Sequence, residues 1–153
     1  MLVPGTEETM KSVIYAGLLA VGLAGTATAE QPFVYPFEGS FDDAVFAVEN
    51  AILGEGLVID HVSHVGEMLN RTGGDVGSDA ALFENADIFL FCSALVSRQV
   101  MEADPMNITH CPYGIFVMEN ADGVIVGHKD YPDGSMQAVE NLMQQIVAEA
   151  IGK

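Results

Sequence analysis

Cysteine and basic residues are scarce in this chain, and tryptophan is absent. The 153 residues include two cysteines, and five lysines and arginines stand against 22 acidic residues, for a formal net charge of −17. This charge argues against nucleic acid and anionic membrane surfaces as partners, because both would be repelled. The cysteines form neither Cys-x-x-Cys nor Cys-x-x-Cys-His, which excludes a thioredoxin-like motif and the usual covalent haem attachment.

Long apolar runs are also lacking, and the run near the start has the features of a secretory signal peptide. Met10-Lys11-Ser12 forms a short basic region, Val13–Gly25 is apolar and uncharged, and Ala27-Thr28-Ala29 forms a small-x-small cleavage site. The run is shorter than the roughly 20 residues that a membrane-spanning helix needs. We therefore expect residues 1–29 to be removed, with translation starting at Met10, and the protein to be periplasmic or secreted without a membrane span.

The mature chain predicted by this cleavage, residues 30–153, has the length of one compact domain. It retains four basic residues, Arg71, Arg98, Lys129 and Lys153, against twenty acidic ones, a formal charge of −16. We interpret the acidic excess mainly as a solvated surface rather than as a binding feature.

Strand-like and helix-like patterns alternate along the mature chain. Helical spacing of apolar residues follows a capping box at Ser40, and further helices are predicted after Ser63 and Ser93 and near the C-terminus. Asp122-Gly123 predicts a hairpin, and Pro36 predicts an edge position for the first strand. The predicted strands are Phe33–Phe37, Leu57–Val62, Ile88–Phe91, Ile115–Met118 and Val124–Val126. A hairpin within an alternating chain predicts an α+β domain, with a mixed β-sheet and helices packed mainly on one face.

Several motifs resemble those of the domain-of-unknown-function 302 family (DUF302). They are Phe37-x3-Phe41, Gly56-Leu57-Val58-Ile59, Phe91-Cys92-Ser93-Ala94, Asp104-Pro105, Cys111-Pro112-Tyr113 and Ile115-Phe116-Val117-Met118-Glu119. The resemblance covers nearly the whole mature chain. It implies a single small α+β domain of bacterial and archaeal distribution without an established general activity. A first cysteine combined with a Cys-Pro-Tyr segment resembles a narrower subset of that family.

Cys92 and Cys111 leave three alternatives open. A disulfide suits an oxidising compartment, and closing a loop of this length contributes about 3 kcal/mol in the chain-entropy model. Two buried, unpaired cysteines are the second alternative. The third is a ligand or reactive role: Cys92 precedes a helix start, which favours a thiolate, and His110 adjoins Cys111. Pairing requires that the chain double back between the two cysteines.

Histidine and methionine provide candidate ligands for haem or copper. His61 and His64 flank a strand-to-helix junction, and Met68 lies four residues beyond His64 on the predicted helix. We expect His61 to share a strand face with Leu57 and Ile59. His128, at the end of a hairpin strand, is expected to face solvent.

These patterns favour a secreted or periplasmic binding or accessory module over an enzyme. Its site is expected where the His61–Met68 junction approaches the cysteine segments, and the candidate ligand-binding residues are His61, His64, Met68, Cys92, His110, Cys111 and Tyr113. The alternatives are a non-covalent haem or copper protein and a thiol-based redox enzyme at Cys92. Expected partners are a small ligand, another protein or a second copy of the chain in a homodimer.

Overall fold

The computed structural model describes residues 31–78 and 80–153, so the predicted signal peptide lies outside the described residues. The predicted order of strands and helices is confirmed. The strands are β1 (Phe33–Phe37), β2 (Val58–Ser63), β3 (Asn85–Cys92), β4 (Tyr113–Asn120) and β5 (Gly123–His128). The helices are α1 (Phe41–Gly54), α2 (Val65–Thr72), α3 (Ala94–Ala103) and α4 (Gln137–Ala150), and short 3-10 helices span Gly74–Val76, Pro105–His110 and Gly134–Met136.

The five strands form one sheet in the order β1-β5-β4-β3-β2, and the α+β class is confirmed. All four strand pairings are antiparallel, where a mixed sheet was expected. The difference arises between β3 and β4. The chain doubles back through α3 and the 3-10 helix Pro105–His110, which places Phe91 opposite Tyr113 at the same end of the sheet. Pro36 lies on the edge strand β1, as predicted.

The core lies between one face of the sheet and the helices α1 and α4. Alternate residues of β4, namely Tyr113, Ile115 and Val117, are fully buried on this face. The apolar stripes of the two helices cover them, which confirms the predicted helical spacing. The buried helix residues include Ala44, Val48, Ala51 and Ile52 from α1, and Val139, Met143, Ile146 and Val147 from α4.

Two of the three predicted helix caps are confirmed. Ser40 and Asp43 form the capping box of α1, with the Ser40 side chain accepting from the Asp43 backbone N–H. Ser93 caps α3 by accepting from the backbone N–H of Val96. The prediction for Ser63 is wrong, because Ser63 remains in β2 and His64 occupies the N-cap position of α2 without a side-chain cap hydrogen bond.

Helix α2 follows the edge strand β2 and packs directly against β3. At Gly66 an added Cβ would lie 2.6 Å from the backbone nitrogen of Ala86, so the helix and β3 are in direct backbone contact there. The helix is only eight residues long, and Gly66 is its one buried residue. None of the helices in residues 31–78 and 80–153 is long and apolar enough to cross a membrane.

Candidate functional site

The face of the sheet opposite the core, which we call the open face, is largely uncovered. Its side chains alternate with the buried ones: Phe116 lies between Ile115 and Val117 and is only half-buried. The residues that alternation and strand pairing place on this face in β3, β4 and β5 include Ala86, Ile88, Leu90, Gly114, Phe116, Met118, Asn120, Gly123, Ile125 and Gly127. None of them is charged, although the chain is strongly acidic.

A cleft of about 260 Å³ lies on the open face, lined by Ile88, Leu90, Pro112, Gly114, Phe116 and Lys129. The absence of a side chain at Gly114 creates its floor. An added Cβ there would lie 3.4 Å from both Ile88 Cγ2 and Leu90 Cδ2. We call this feature the Gly114 cleft.

Gly127 holds the ring of Phe116 flat against the sheet beside the cleft. A Cβ added at Gly127 would lie 2.6 Å from Phe116 Cζ and would overlap the backbone oxygen of Phe33. Glycine is therefore required at this position by close approach, and the aromatic wall of the cleft depends on it.

His61 borders the open face, and its predicted orientation is wrong. A β-bulge between Ile59 and His61 shifts the alternation of β2, so that His61 pairs with Leu90 and is exposed, while Ile59 pairs with the buried Phe91. Without the bulge, His61 would share the core face with Leu57 and Ile59. The bulge thus moves an imidazole to the side of the sheet that carries the Gly114 cleft.

The structure does not gather His61, His64 and Met68 into one cluster. His64 Nδ1 lies 2.8 Å from Asp87 Oδ1, and Asp87 pairs with the buried Val117, so His64 and His61 face opposite sides of the sheet. Met68 is exposed on α2. Within residues 31–78 and 80–153, no group of three or more histidine, cysteine, aspartate or glutamate side chains is arranged to hold a metal ion.

The other four predicted site residues do come together, at the end of β3 and the start of β4. Cys92 and Cys111 form a disulfide with a Cα–Cα distance of 6.5 Å, which decides between the alternatives. The ring of His110 lies 6.2 Å from that of Tyr131. Tyr113 is fully buried, and its hydroxyl lies 3.0 Å from Ser97 Oγ.

His128 is fully buried, so the prediction that it faces solvent is wrong. Its ring stacks on Phe33 with a centroid distance of 5.2 Å, and Nδ1 lies 2.8 Å from the backbone oxygen of Lys129. The signal was present in the strand alternation, because His128 continues the inward positions Val124 and Val126.

Two further buried polar groups, missed by the sequence analysis, accompany His128. Glu140 Oε2 accepts from the backbone N–H of Tyr131 at 3.2 Å, Oε1 accepts from Gln144 Nε2 at 2.9 Å, and Oε1 is 3.9 Å from His128 Nε2. Burial raises the pKa of the Tyr131 hydroxyl well above its usual range, and the Gly114 backbone opposes this shift. A carboxylate within the apolar stripe of α4 was the available sequence signal.

The family model for the domain of unknown function DUF302 matches residues 33–153. The chain belongs to the DUF302 family. A crystal structure of an uncharacterized conserved DUF302 protein from Bacillus stearothermophilus is similar to it, with a TM-score of 0.63 at 12% sequence identity; the match covers 79% of this chain and 95% of that one. At this identity the similarity shows the fold alone. No curated protein matches the chain.

In this DUF302 domain, apolar contact is the main chemistry that the Gly114 cleft offers. Lys129 is the cleft residue with an ionisable side chain, and its Nζ lies 4.8 Å above the ring of Tyr131. Cys92 and Cys111 are bonded to each other, so neither presents a thiolate in this structure. Membership of the narrower Cys-Pro-Tyr subset remains a prediction.

Proposed function

We propose that this DUF302 protein is a secreted or periplasmic binding module whose open face receives an apolar group of its ligand in the Gly114 cleft. The observation that carries the proposal is that the open-face positions of β3, β4 and β5 carry no charged side chain, on a chain of formal net charge −17. Contiguous apolar surface on a soluble domain marks an interaction site more often than scattered apolar residues do.

The cleft is built largely on paired strands, and this construction favours binding. Its floor and walls come from β3, from β4 and from Pro112, which directly follows a disulfide cysteine. A site built on paired strands loses little conformational freedom when a ligand is bound. Covering the half-exposed Ile88, Leu90 and Phe116 would contribute a part of the roughly 1.5–3 kcal/mol that full burial of each such side chain gives.

The disulfide supports the proposed location. Disulfides form and persist in oxidising compartments and are rare in reducing ones. Together with the predicted signal peptide, the Cys92–Cys111 bond favours the periplasm or the extracellular space. Mass spectrometry of protein exported by a bacterial host tests this part, and we expect the mature chain to begin at Glu30.

A non-covalent haem protein is the second candidate, because His61 lies beside Leu90 at the border of the open face. A flat apolar surface with one adjacent imidazole suits a haem with a single protein ligand. An absorption titration of the purified protein with haem tests it: a Soret shift in the wild type that disappears in His61→Ala would support haem binding. Copper binding is tested by metal analysis of the same two proteins. No observation favours the thiol-enzyme alternative.

Binding of the neutral apolar dye Nile red tests the cleft. In Gly114→Val the new side chain occupies the cleft floor, and we expect the dye to bind about tenfold more weakly, which corresponds to about 1.4 kcal/mol. Gly114→Ala should have a smaller effect, because its methyl is smaller and its nearest neighbours, Ile88 Cγ2 and Leu90 Cδ2, are 3.4 Å away.

Gly74→Ala is the matched control, since a Cβ there would meet nothing within 4 Å and Gly74 is remote in sequence from the cleft. Far-UV circular dichroism of each variant verifies that the fold is kept. A folded Gly114→Val protein that binds the dye as tightly as the wild type would remove the cleft from the proposed function.

A further inference from the structure

Four large apolar side chains are exposed around the disulfide. The exposed fractions are 71% for Val58, 80% for Leu95, 66% for Met106 and 60% for Ile108. Single exposed apolar residues are ordinary on protein surfaces, but a cluster of this kind marks an interaction site. We call these four residues the disulfide-end patch.

The patch is placed by the disulfide and by the elements that meet there. Val58 pairs with Cys92 across β2 and β3. Leu95 lies in the first turn of α3, three residues after Cys92, and Ile108 and Met106 lie three and five residues before Cys111. The bond between the two cysteines therefore brings these segments to one end of the sheet.

Hydrogen bonds hold the helical part of the patch in position. Asn107 Nδ2 donates to the backbone oxygen of Val100 at 2.8 Å, which fastens the 3-10 helix to α3. Asp104 Oδ1 accepts from the backbone N–H of Met106 at 2.9 Å and caps the same 3-10 helix. The apolar side chains are thus displayed on ordered backbone, which lowers the entropic cost of docking.

The Gly114 cleft lies at the same end of the sheet as the disulfide, because Pro112, which lines the cleft, directly follows Cys111. At about 260 Å³ the cleft is smaller than the roughly 300–1,000 Å³ of typical small-molecule pockets. It has room for one large apolar side chain. An anchor side chain in a pocket beside an apolar surface is a common arrangement in protein–protein interfaces.

The charges near the patch select the kind of partner. Asp60, Glu102 and Asp104 lie close to patch residues in sequence, and Arg98 is paired with Glu102 at 2.9 Å. The formal net charge of −17 would repel a second copy of the chain, and it would repel anionic lipid in the same way. Lys129 lines the cleft, but its Nζ lies 4.8 Å over the Tyr131 ring, so the carboxylates beside the patch decide the charge complementarity and favour a basic partner.

We propose that the disulfide-end patch docks a basic protein segment that inserts one apolar side chain into the Gly114 cleft. The proposal rests on the proposed binding function and names the class of partner. Apolar contact with the patch provides affinity, and the acidic surroundings provide attraction and selectivity.

A fluorescently labelled synthetic peptide of alternating lysine and leucine is the probe, with binding followed by fluorescence anisotropy. We expect the wild type to bind it, and added salt to weaken binding. A peptide with serine in place of leucine should bind at least tenfold more weakly, and one with glutamate in place of lysine should not bind. Equal binding of the glutamate or serine peptide would overturn the proposal.

Matched protein variants locate the binding surface. Leu95→Ser/Ile108→Ser should weaken peptide binding about tenfold or more. Phe46→Ser/Leu53→Ser removes apolar side chains of α1 that are 69% and 50% exposed, and it should leave binding unchanged. Circular dichroism verifies the fold of both. Equal effects of the two double variants would overturn the proposal, because binding would then not be specific to the patch.

Two further measurements test competing occupants and separate this proposal from the binding function. Sedimentation that reveals a dimer lost in Leu95→Ser/Ile108→Ser, or binding to anionic vesicles lost in that variant, would overturn the basic-segment proposal. Gly114→Val should lose both the dye and the peptide. Loss of the dye alone would leave the cleft function standing and overturn insertion, whereas unchanged binding of both would refute the cleft function and insertion together.

Discussion

The Cys92–Cys111 disulfide should provide a large part of the stability of the mature domain. The two cysteines are 19 positions apart in sequence. For a loop of this length, the chain-entropy model gives a stabilisation of about 3 kcal/mol at 25 °C, because the crosslink restricts the unfolded chain. Domains of this size have a free energy of unfolding of roughly 5–15 kcal/mol, so the disulfide accounts for a substantial share of it.

The test replaces both cysteines with alanine, because both are partly buried and alanine introduces no polar group. We expect the free energy of unfolding in urea to fall by about 3 kcal/mol and the melting temperature to fall by about 10 °C. Wild-type protein unfolded with a reductant is the control and should approach the variant. A loss below about 1 kcal/mol in the double variant would refute the loop-closure reasoning.

Three further predictions concern Gly127 beside the cleft, the histidines His128 and His61, and the buried Tyr131. Gly127→Ala should lower the free energy of unfolding by about 1–3 kcal/mol in urea denaturation, because its Cβ would press on the Phe116 ring and on backbone; an unchanged value would contradict this packing. His128→Ala should lower the free energy of unfolding by about 2–4 kcal/mol, and His61→Ala should lower it by less than about 0.5 kcal/mol. A larger fall in melting temperature for His61→Ala than for His128→Ala would contradict the observed burial. Because burial raises the pKa of Tyr131, the neutral hydroxyl stabilises the fold fully below about pH 10, and this contribution is lost as pH rises through the folded-state pKa. Tyr131→Phe should therefore reduce the loss of stability above about pH 10, and identical alkaline melting curves for wild type and variant would refute this account.

The order and type of the elements were determined by the sequence alone. Apolar residues at helical spacing in α1 and α4, and the apolar runs of the strands, are local patterns that any compact fold must bury. Ser40 and Ser93 identified two helix starts because a cap acts on backbone groups only a few residues away. The same short range explains why α3 ends at Ala103, directly before Asp104-Pro105.

The sequence left the state of Cys92 and Cys111 open, and the tertiary structure decided that they form a disulfide. Its formation depends on whether β4 starts at the end of the sheet where β3 stops. No pattern within α3 or the following 3-10 helix specifies that direction, since it follows from how both pack on the rest of the domain. The antiparallel arrangement of the whole sheet has the same origin.

The candidate site was determined almost wholly by tertiary structure. His61 reaches the open face through a bulge in β2, which only the pairing with β3 reveals. His128 looked exposed because Lys129 and a turn follow it, yet α4 and β1 bury it completely. The Gly114 cleft is the clearest case, because a glycine within a strand is a weak signal by itself. It becomes a cleft only where Leu90 and Phe116 lie beside it and no helix among the described residues covers that part of the sheet. Helix and strand periodicity are properties of consecutive residues, whereas a binding surface depends on which side chains distant parts of the chain leave uncovered.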